Sequence, residues 1–464
     1  MTVEEETIEN RTFEEINIGD AASVTRTLTR DDIALFAAIS GDVNPTHAGS
    51  LGLLTAHSMW GGALVSAVLG TKLPGPGTVY AGQTLHFHKQ ITAGDTLTTK
   101  VVVRKKMAAS GMIVLDCQCT DETGASVMSG RAEVVAPTKK FTGRLAEVPE
   151  IRMRRHEKYD ALIARCRDLS PVATAVAYPC DGSSLAGAVD AAKIGIIRPF
   201  LVGPTAAIRA AADNAKLDIS GCEIVDAPHS REAAEKAVEL VRLGKAELLM
   251  KGSLHTDELM GAVVRKETGL RTARRISHCF VMDVPTYPKP LVVTDAAVNI
   301  YPTLEDKIDI VRNAIDLAHA LGLDQPRVAI MSAVETVNPK IQSTLDAAAL
   351  CKMADRGQIT GGLLDGPLAL DNAINIAAAK IKGIVSPVAG QADILLVPDL
   401  EAGNMLAKNL SFLADADAAG IVLGARVPII LTSRADTVRA RMASCAVAAL
   451  YAHAQRKTAP VTAE

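Results

Sequence analysis

Two parts of different fold class are written in this chain. Up to about residue 140, one strongly apolar helix is followed by segments of period two, which is an α+β pattern. Beyond about residue 155, short apolar strands alternate with Ala-rich helices, which is an α/β pattern with a parallel sheet. Between them the hydropathy pattern lapses at Pro137-Thr138-Lys139-Lys140 and again from Glu147 to Arg155, where prolines and charges cluster. The expected division is residues 1–140, a linker at 141–154, and residues 155–464. The basic run Arg152–Arg155 reads as a solvated helix start. With 464 residues, 48% of them hydrophobic, the chain can fill more than one core.

In the first part, a strand is expected to end near Thr27-Leu28-Thr29. Thr29 then caps a helix that starts at Arg30-Asp31-Asp32, with its acids at the favourable end of the dipole. Ile33, Phe36, Ala37 and Ile39 give that helix a buried side, and Gly41 stops it. The stretch around Trp60–Leu69 is apolar nearly all round and predicts a helix buried on most faces. After Pro74-Gly75-Pro76-Gly77, strands are predicted at Thr78–Phe87, Thr96–Lys105, Gly111–Thr120 and Ser126–Val135.

The helix delivers Asp42 to the loop Gly41-Asp42-Val43-Asn44-Pro45-Thr46-His47. A carboxylate and an imidazole this close can hold one water and move its proton. A polar turn capped by Asp42 and Asn44 would use the same residue types. Phe36, Ser40, Gly41, Asp42, Asn44, Pro45 and His47 together resemble the signature of MaoC-type (R)-specific enoyl-CoA hydratases. That resemblance implies a hot-dog fold, with the meander wrapped around the apolar helix, and makes Asp42 and His47 catalytic with Asn44 beside them. It also implies that a backbone N–H at the start of the central helix holds the thioester carbonyl. The family's Ala-His-Gly element reads Ala56-His57-Ser58 here, so Ser58 is the expected substrate contact and His57 a structural residue. His86 and His88 are expected at the surface or in a dimer contact, without metal.

In the second part, strands are predicted at Val172–Tyr178, Pro199–Val202, Glu223–Val225, Leu248–Met250, Leu291–Thr294, Val328–Met331, Ile394–Val397 and Ile429–Leu431. Thr303-Leu304-Glu305-Asp306 opens a helix with Ile308, Val311, Ile315 and Ala318 on one face and Gly322 beyond its end. Ligands of such sheets bind past the strand C-termini. The residues there are Lys251-Gly252-Ser253-Leu254-His255-Thr256, Arg265, Arg271, Arg274 and Arg275, Asp399 to Asn404, and Thr432-Ser433-Arg434-Ala435-Asp436. Lys251 and the open backbone at Gly252 suit an anion. A hydroxyl, a guanidinium and a carboxylate at one strand end suit acyl transfer: the first two stabilise developing charge, and the carboxylate takes a thiol proton. Ser-Arg-Ala-Asp is equally a helix cap in form.

Leu249 to Thr256, Gly269-Leu270-Arg271-Thr272, Leu364 to Asp371, Val397 to Asn404 and Ser433-Arg434 resemble the phosphate acetyl/butyryltransferase family across residues 155–464. The resemblance implies a two-subdomain α/β fold with a cleft. It puts transition-state stabilisation on Ser433 and the acyl or phosphate group on Arg434, with Lys251, Arg265, Arg271 and Asn404 as substrate contacts. Acetyltransferase-type members carry Ser-Arg-Gly and then an aspartate a few residues on, where this chain has alanine. Asp436 is the candidate to substitute as base, and the Ser-Arg-Ala-Asp form looks closer to butyryltransferase-like members.

A net charge of −3 and 3% aromatic residues argue against a nucleic-acid partner. The acidic N-terminus and interrupted apolar runs argue against a signal peptide or membrane span, hence a cytoplasmic protein. Eight cysteines without a C-x-x-C pair read as free thiols, with Cys117 and Cys119 buried on a strand. No Walker sequence or dinucleotide fingerprint is present, against nucleotide hydrolysis and hydride transfer. The expected protein is a bifunctional homodimer or larger assembly acting on acyl-CoA and phosphate, with no cofactor. The alternatives are a non-catalytic CoA-sensing module in the second part and an acyl-binding or dimerising hot-dog in the first.

Overall fold

A computed structural model describes residues 7–48, 54–144, 157–432 and 436–458. Its contacts divide the chain into two compact units, Met1–Met153 and Arg154–Glu464.

The first unit runs β1 (Thr7–Glu9), β2 (Ala21–Thr27), α1 (Arg30–Ser40), a 3-10 turn (Pro45–Ala48), α2 (Met59–Thr71), β3 (Val79–Phe87), β4 (Thr96–Met107), β5 (Met112–Thr120), β6 (Ser126–Val135) and β7 (Thr142–Arg144). Five strands form an antiparallel sheet in the order β2-β4-β5-β6-β3. Alternate residues of β4 and β5, such as Leu97, Val101, Ile113, Leu115, Cys117 and Cys119, point to one face and are buried. They pack on Trp60, Leu64, Val65, Val68 and Leu69 of α2, so the helix lies wrapped by the sheet in the hot-dog arrangement. Burial pushes the Cys117 thiol up to about 11, in keeping with an inert core residue.

Two details differ from expectation. Ile39 is 74% exposed, so the buried side of α1 narrows to Ile33 with Phe36 packed beside it. The unit also does not end at residue 140, because β7 pairs antiparallel with β1 and returns the chain to its start. The basic run Arg152–Arg155 lies outside the described residues.

The second unit contains α3 (Glu157–Arg165), β8 (Val172–Ala177), α4 (Gly182–Lys193), β9 (Ile197–Gly203), α5 (Thr205–Ala215), β10 (Glu223–Asp226), α6 (Ser230–Arg242), β11 (Leu248–Lys251), α7 (Thr256–Val263), β12 (Ser277–Asp283), β13 (Leu291–Thr294) and α8 (Leu304–Ala320). It continues with β14 (Arg327–Met331), α9 (Gln342–Asp355), β15 (Leu363–Leu368), α10 (Leu370–Ile374), α11 (Ile376–Ile381), β16 (Ile394–Leu396), α12 (Leu400–Leu413), β17 (Asp417–Leu423), β18 (Ile429–Ile430) and α13 (Val438–Thr458). One sheet of eleven strands has the order β10-β9-β8-β11-β18-β17-β12-β13-β16-β14-β15.

The two wings of this sheet are parallel, as expected. Both faces are covered: on β8 and β11, Val172, Val176, Leu248 and Met250 join one core, while Ala173, Ala175, Ala177 and Leu249 join another. The centre is not parallel. β12 is antiparallel to both β13 and β17, and β17 is antiparallel to β18. The wings therefore point opposite ways.

Candidate active sites

In the first unit, Thr29 and Asp32 form a reciprocal cap at the start of α1. The helix stops because Gly41 takes a left-handed φ of 74° and gives its N–H to Ala37 O at 2.9 Å. Asp42 leaves the helix there, and its Oδ1 accepts from Asn44 N at 3.3 Å. Asn44 Oδ1 accepts from the N–H and hydroxyl of Thr46, at 3.2 and 3.0 Å, and so starts the 3-10 turn that carries His47. Asn44 therefore shapes the loop.

His47 Nδ1 lies 2.7 Å from Thr55 O. A carbonyl oxygen only accepts, so Nδ1 carries a proton, and in the neutral ring Nε2 presents a lone pair. That lone pair is 3.7 Å from Asp42 Oδ2. Two acceptors facing each other at this distance call for a proton donor between them, which a water with two O–H groups supplies.

His57 belongs to the same group. Its Nε2 donates to Asp42 O at 2.9 Å and lies 3.7 Å from Asp42 Oδ2. Its ring stacks on His47 with centroids 3.6 Å apart. His57 is buried, whereas the Asp42 side chain is 52% exposed. Among the described residues this is the one set of three side chains whose ligand atoms converge as a metal ion would need, all within 4.8 Å. The His57 Nε2–H bond to a carbonyl, however, leaves that nitrogen no lone pair for an ion. Ser58 sits at the N-cap of α2 without a side-chain cap bond, and its backbone N–H precedes that of Trp60, which is held by His57 O. His86 lines a polar hollow on the sheet face opposite the core, with Arg104, Asp116 and Arg131. His88 Nε2 lies 2.8 Å from Ser129 Oγ.

In the second unit, a hollow of about 790 Å³ opens at the central seam of the sheet. Lys251 reaches it from the end of β11, Thr432 from the segment after β18, Asp436 from just before α13, Ala440 from the first turn of α13, and Asn404 and Lys408 from α12. Lys251 is buried, with Nζ 3.3 Å from Gly252 O. Asn404 Nδ2 donates to Ala296 O at 3.3 Å, and α12 is itself capped by Asp399, which accepts from Ala402 N at 2.9 Å. The expected contacts Lys251, Asn404 and Asp436 are thus brought together. Ser433 and Arg434 lie outside the described residues; Thr432 and Asp436, on either side of them in the chain, both line the hollow.

Two expected contacts are not at this place. Arg265 donates to Glu235 at 2.6 Å and lines a separate hollow against α6. Arg271 is exposed and forms an isolated bridge with Ala425. Neither is among the residues that line the central hollow.

The sequence reading missed His278 and Phe280, which line the hollow from β12. Their signal was the alternation in Ser277-His278-Cys279-Phe280-Val281-Met282, two residues beyond the arginines that drew notice. Burial pushes His278 down to about 4, so its ring is uncharged at neutral pH.

Comparison with known proteins bears on both units. The family model described as phosphate acetyl/butaryl transferase matches residues 228–449, and the one described as MaoC like domain matches residues 15–117. A phosphate acetyltransferase of Rhizobium meliloti is 67% identical over 306 residues, 66% of this chain and 96% of that protein. A phosphate butyryltransferase of Clostridium acetobutylicum is 46% identical over 288 residues, 62% of this chain and 95% of that protein. The crystal structure of a branched-chain phosphotransacylase from Enterococcus faecalis V583 superposes with a TM-score of 0.55 at 30% identity, covering 61% of this chain and 99% of that one. A chain aligned over nearly the whole length of such relatives, with its strand-end residues gathered at one hollow, belongs to the phosphate acetyl/butyryltransferase family and carries a MaoC-like domain ahead of it.

Proposed function

We propose that the chain is a bifunctional enzyme of CoA thioesters. The second unit transfers an acyl group between CoA and phosphate, and the first adds water to trans-2-enoyl-CoA to give the (R)-3-hydroxyacyl ester, or removes it. The observation that carries the first activity is the facing pair of acceptors, His47 Nε2 and Asp42 Oδ2, at 3.7 Å. A water donating to both has its oxygen lone pair free to attack C3, and one of the two groups returns the proton to C2. Backbone N–H groups at the start of α2, by Ser58, would hold the carbonyl oxygen as enolate charge develops.

The gathering of Lys251, Asn404 and Asp436 at one hollow supports the second activity, with the high identity to named acyltransferases. Phosphate oxygen attacks the thioester carbon, the C–S bond breaks, and the thiolate leaves with its electron pair. Lys251 and Arg434 would offset phosphate charge, Ser433 would donate to the reacting oxygen, and Asp436 would take the thiol proton in the reverse direction. Acyl-CoA and phosphate enter as substrates, and neither reaction calls for a resident cofactor. We place the enzyme in the cytoplasm as a homodimer or larger assembly; among the described residues, no helix is long and apolar enough to cross a membrane.

The test is a panel of C2 to C8 acyl- and enoyl-CoA esters on the intact chain, with and without phosphate. CoA release that requires phosphate, and loss of enoyl absorbance that does not, are expected. A chain that releases CoA from no ester has a binding module as its second unit; one that hydrates no enoyl ester has an acyl-binding hot-dog as its first.

A further inference from the structure

His278 is 1% exposed, and its Nδ1 is buried without a hydrogen-bond partner. An unmade bond of this kind costs roughly 1–3 kcal/mol, so a ring kept in that state in a core strand calls for a reason. On the neighbouring strand β17, Gly420 pairs with Phe280 and lies diagonal to His278; a Cβ there would sit 3.1 Å from His278 Nε2 and 2.5 Å from Leu431 O. Only a residue without a Cβ leaves room for that ring edge. Phe280 meets the imidazole edge-on, with centroids 4.3 Å apart, and fixes its plane. The ring therefore forms part of the hollow's floor beside an apolar wall of Phe280, Ala418 and Leu431.

We propose that His278 touches the substrate, donating a hydrogen bond from its imidazole to the acyl carbonyl oxygen. This rests on the transferase reading of the same hollow. The charged groups around the ring are Lys251 on β11, Lys408 on α12, Asp417 on β17, Asp436 before α13 and Asp295 after β13. The lysines suit the phosphate dianion, and an uncharged donor against an apolar wall suits the thioester carbonyl. During attack the carbonyl oxygen gains charge, the hydrogen bond strengthens, and the proton stays on the ring. The C–O bond forms, the C–S bond breaks, and no proton passes through His278. A donor placed where charge develops is worth about 10²–10³-fold in rate.

The experiment compares His278→Phe, His278→Gln and His278→Asn in phosphate-dependent CoA release, with thermal melts of each. The Phe variant should lose about 10²–10³-fold in kcat with KM for phosphate within about threefold. One amide, matching whichever ring nitrogen donates, should recover at least about tenfold over Phe. A structural role would not produce that recovery. A Phe variant within about threefold of wild type, or two amides as slow as Phe, overturns the proposal. Should the variants melt too low to assay, wild type labelled with ¹⁵N-histidine decides. His278 is expected not to titrate between about pH 5.5 and 8. Its resonance should move when a carbonyl-bearing, sulfur-free acyl-CoA analogue is added, and an unmoved resonance overturns the proposal. A wild type that releases no CoA from any ester brings down the transferase reading; an active wild type with an active Phe variant removes only the role of His278.

Discussion

The imidazole of His57 stacks on that of His47 at 3.6 Å and at the same time donates to the backbone carbonyl of Asp42. One buried side chain thus fixes the separation of the two groups proposed to hold the water. Asp42→Asn or His47→Gln should lower crotonyl-CoA hydration by about 10²–10⁴-fold, the usual worth of a positioned acid or base. His57→Phe keeps the stack but loses the bond to Asp42, and a misplacement of about 1 Å can cost about 10²-fold. Hydration by that variant should fall in kcat more than it rises in KM. Phosphate-dependent CoA release by all three should stay within about twofold of wild type.

The end of α1 places Asp42, and the two ends of that helix can be weakened separately. Thr29→Ala removes a side-chain cap and Gly41→Ala puts a Cβ on a residue at φ 74°, each at about 1 kcal/mol. Nothing lies within 4 Å of the added Cβ at Gly41, so that cost is conformational. Urea unfolding should show similar losses for both. Only Gly41→Ala, which strains the residue next to Asp42, should also lower hydration by about tenfold.

How much of this was legible follows from which forces act locally. The cap at Thr29, the stop at Gly41, the buried α2 and the strands β3 to β6 are set by neighbours in sequence, and their positions agree with the expectations to within about two residues. The same holds for α8, which opens on the Thr303–Asp306 cap and is followed by Gly322 at a left-handed φ of 86°. The central seam was not legible. β17 begins Asp417-Ala418-Ala419-Gly420, a composition that reads as loop, and it is strand because β12 and β18 pair with it. β15 was hidden by Gly366-Pro367, which reads as a turn. Arg265 looked like a substrate contact for a related reason: its partner Glu235 is thirty residues away in sequence.

Lys307 and Asp346 form an ion pair at 2.7 Å with side chains only 6% and 7% exposed, tying α8 to α9. Asp346 Oδ1 also accepts from Gln342 Nε2 at 2.9 Å. Removing one partner strands a buried charge, so Asp346→Ala should cost about 3–5 kcal/mol. The double variant Lys307→Met/Asp346→Leu should unfold at higher urea than either single variant, since it buries no lone charge.

His278 makes the second unit sensitive to acid. Burial holds the folded ring near 4, Asp295 opposing that shift, while an unfolded histidine titrates at about 6.5. Below about 6.5 the unfolded chain takes up a proton that the folded chain refuses, so stability is full above that pH and falls as pH drops towards about 4. The loss attributable to this ring is at most about 3 kcal/mol. Urea unfolding at pH 7.5 and 4.5 should show a smaller acid loss in His278→Gln than in wild type.

Two glycine-to-alanine changes should have opposite signs. Gly70, within α2, has nothing within 4 Å of an added Cβ, so Gly70→Ala should gain about 0.5–1 kcal/mol of helix propensity. At Gly420 the added Cβ would lie 2.5 Å from Leu431 O, a backbone atom that accepts no such approach, and 3.1 Å from His278 Nε2. Either β18 moves away from β17 or the strand twists, at about 1–3 kcal/mol for overpacking. Because Leu431 N–H bonds to Gly420 O and Thr432 follows it into the hollow, that movement reaches the transferase residues directly. Phosphate-dependent CoA release by Gly420→Ala should fall at least tenfold on the rule that about 1 Å of misplacement costs about 10²-fold, while its enoyl-CoA hydration stays at the wild-type rate. Equal loss of both activities would mean global unfolding, and unchanged transfer would mean that the seam yields without disturbing the hollow.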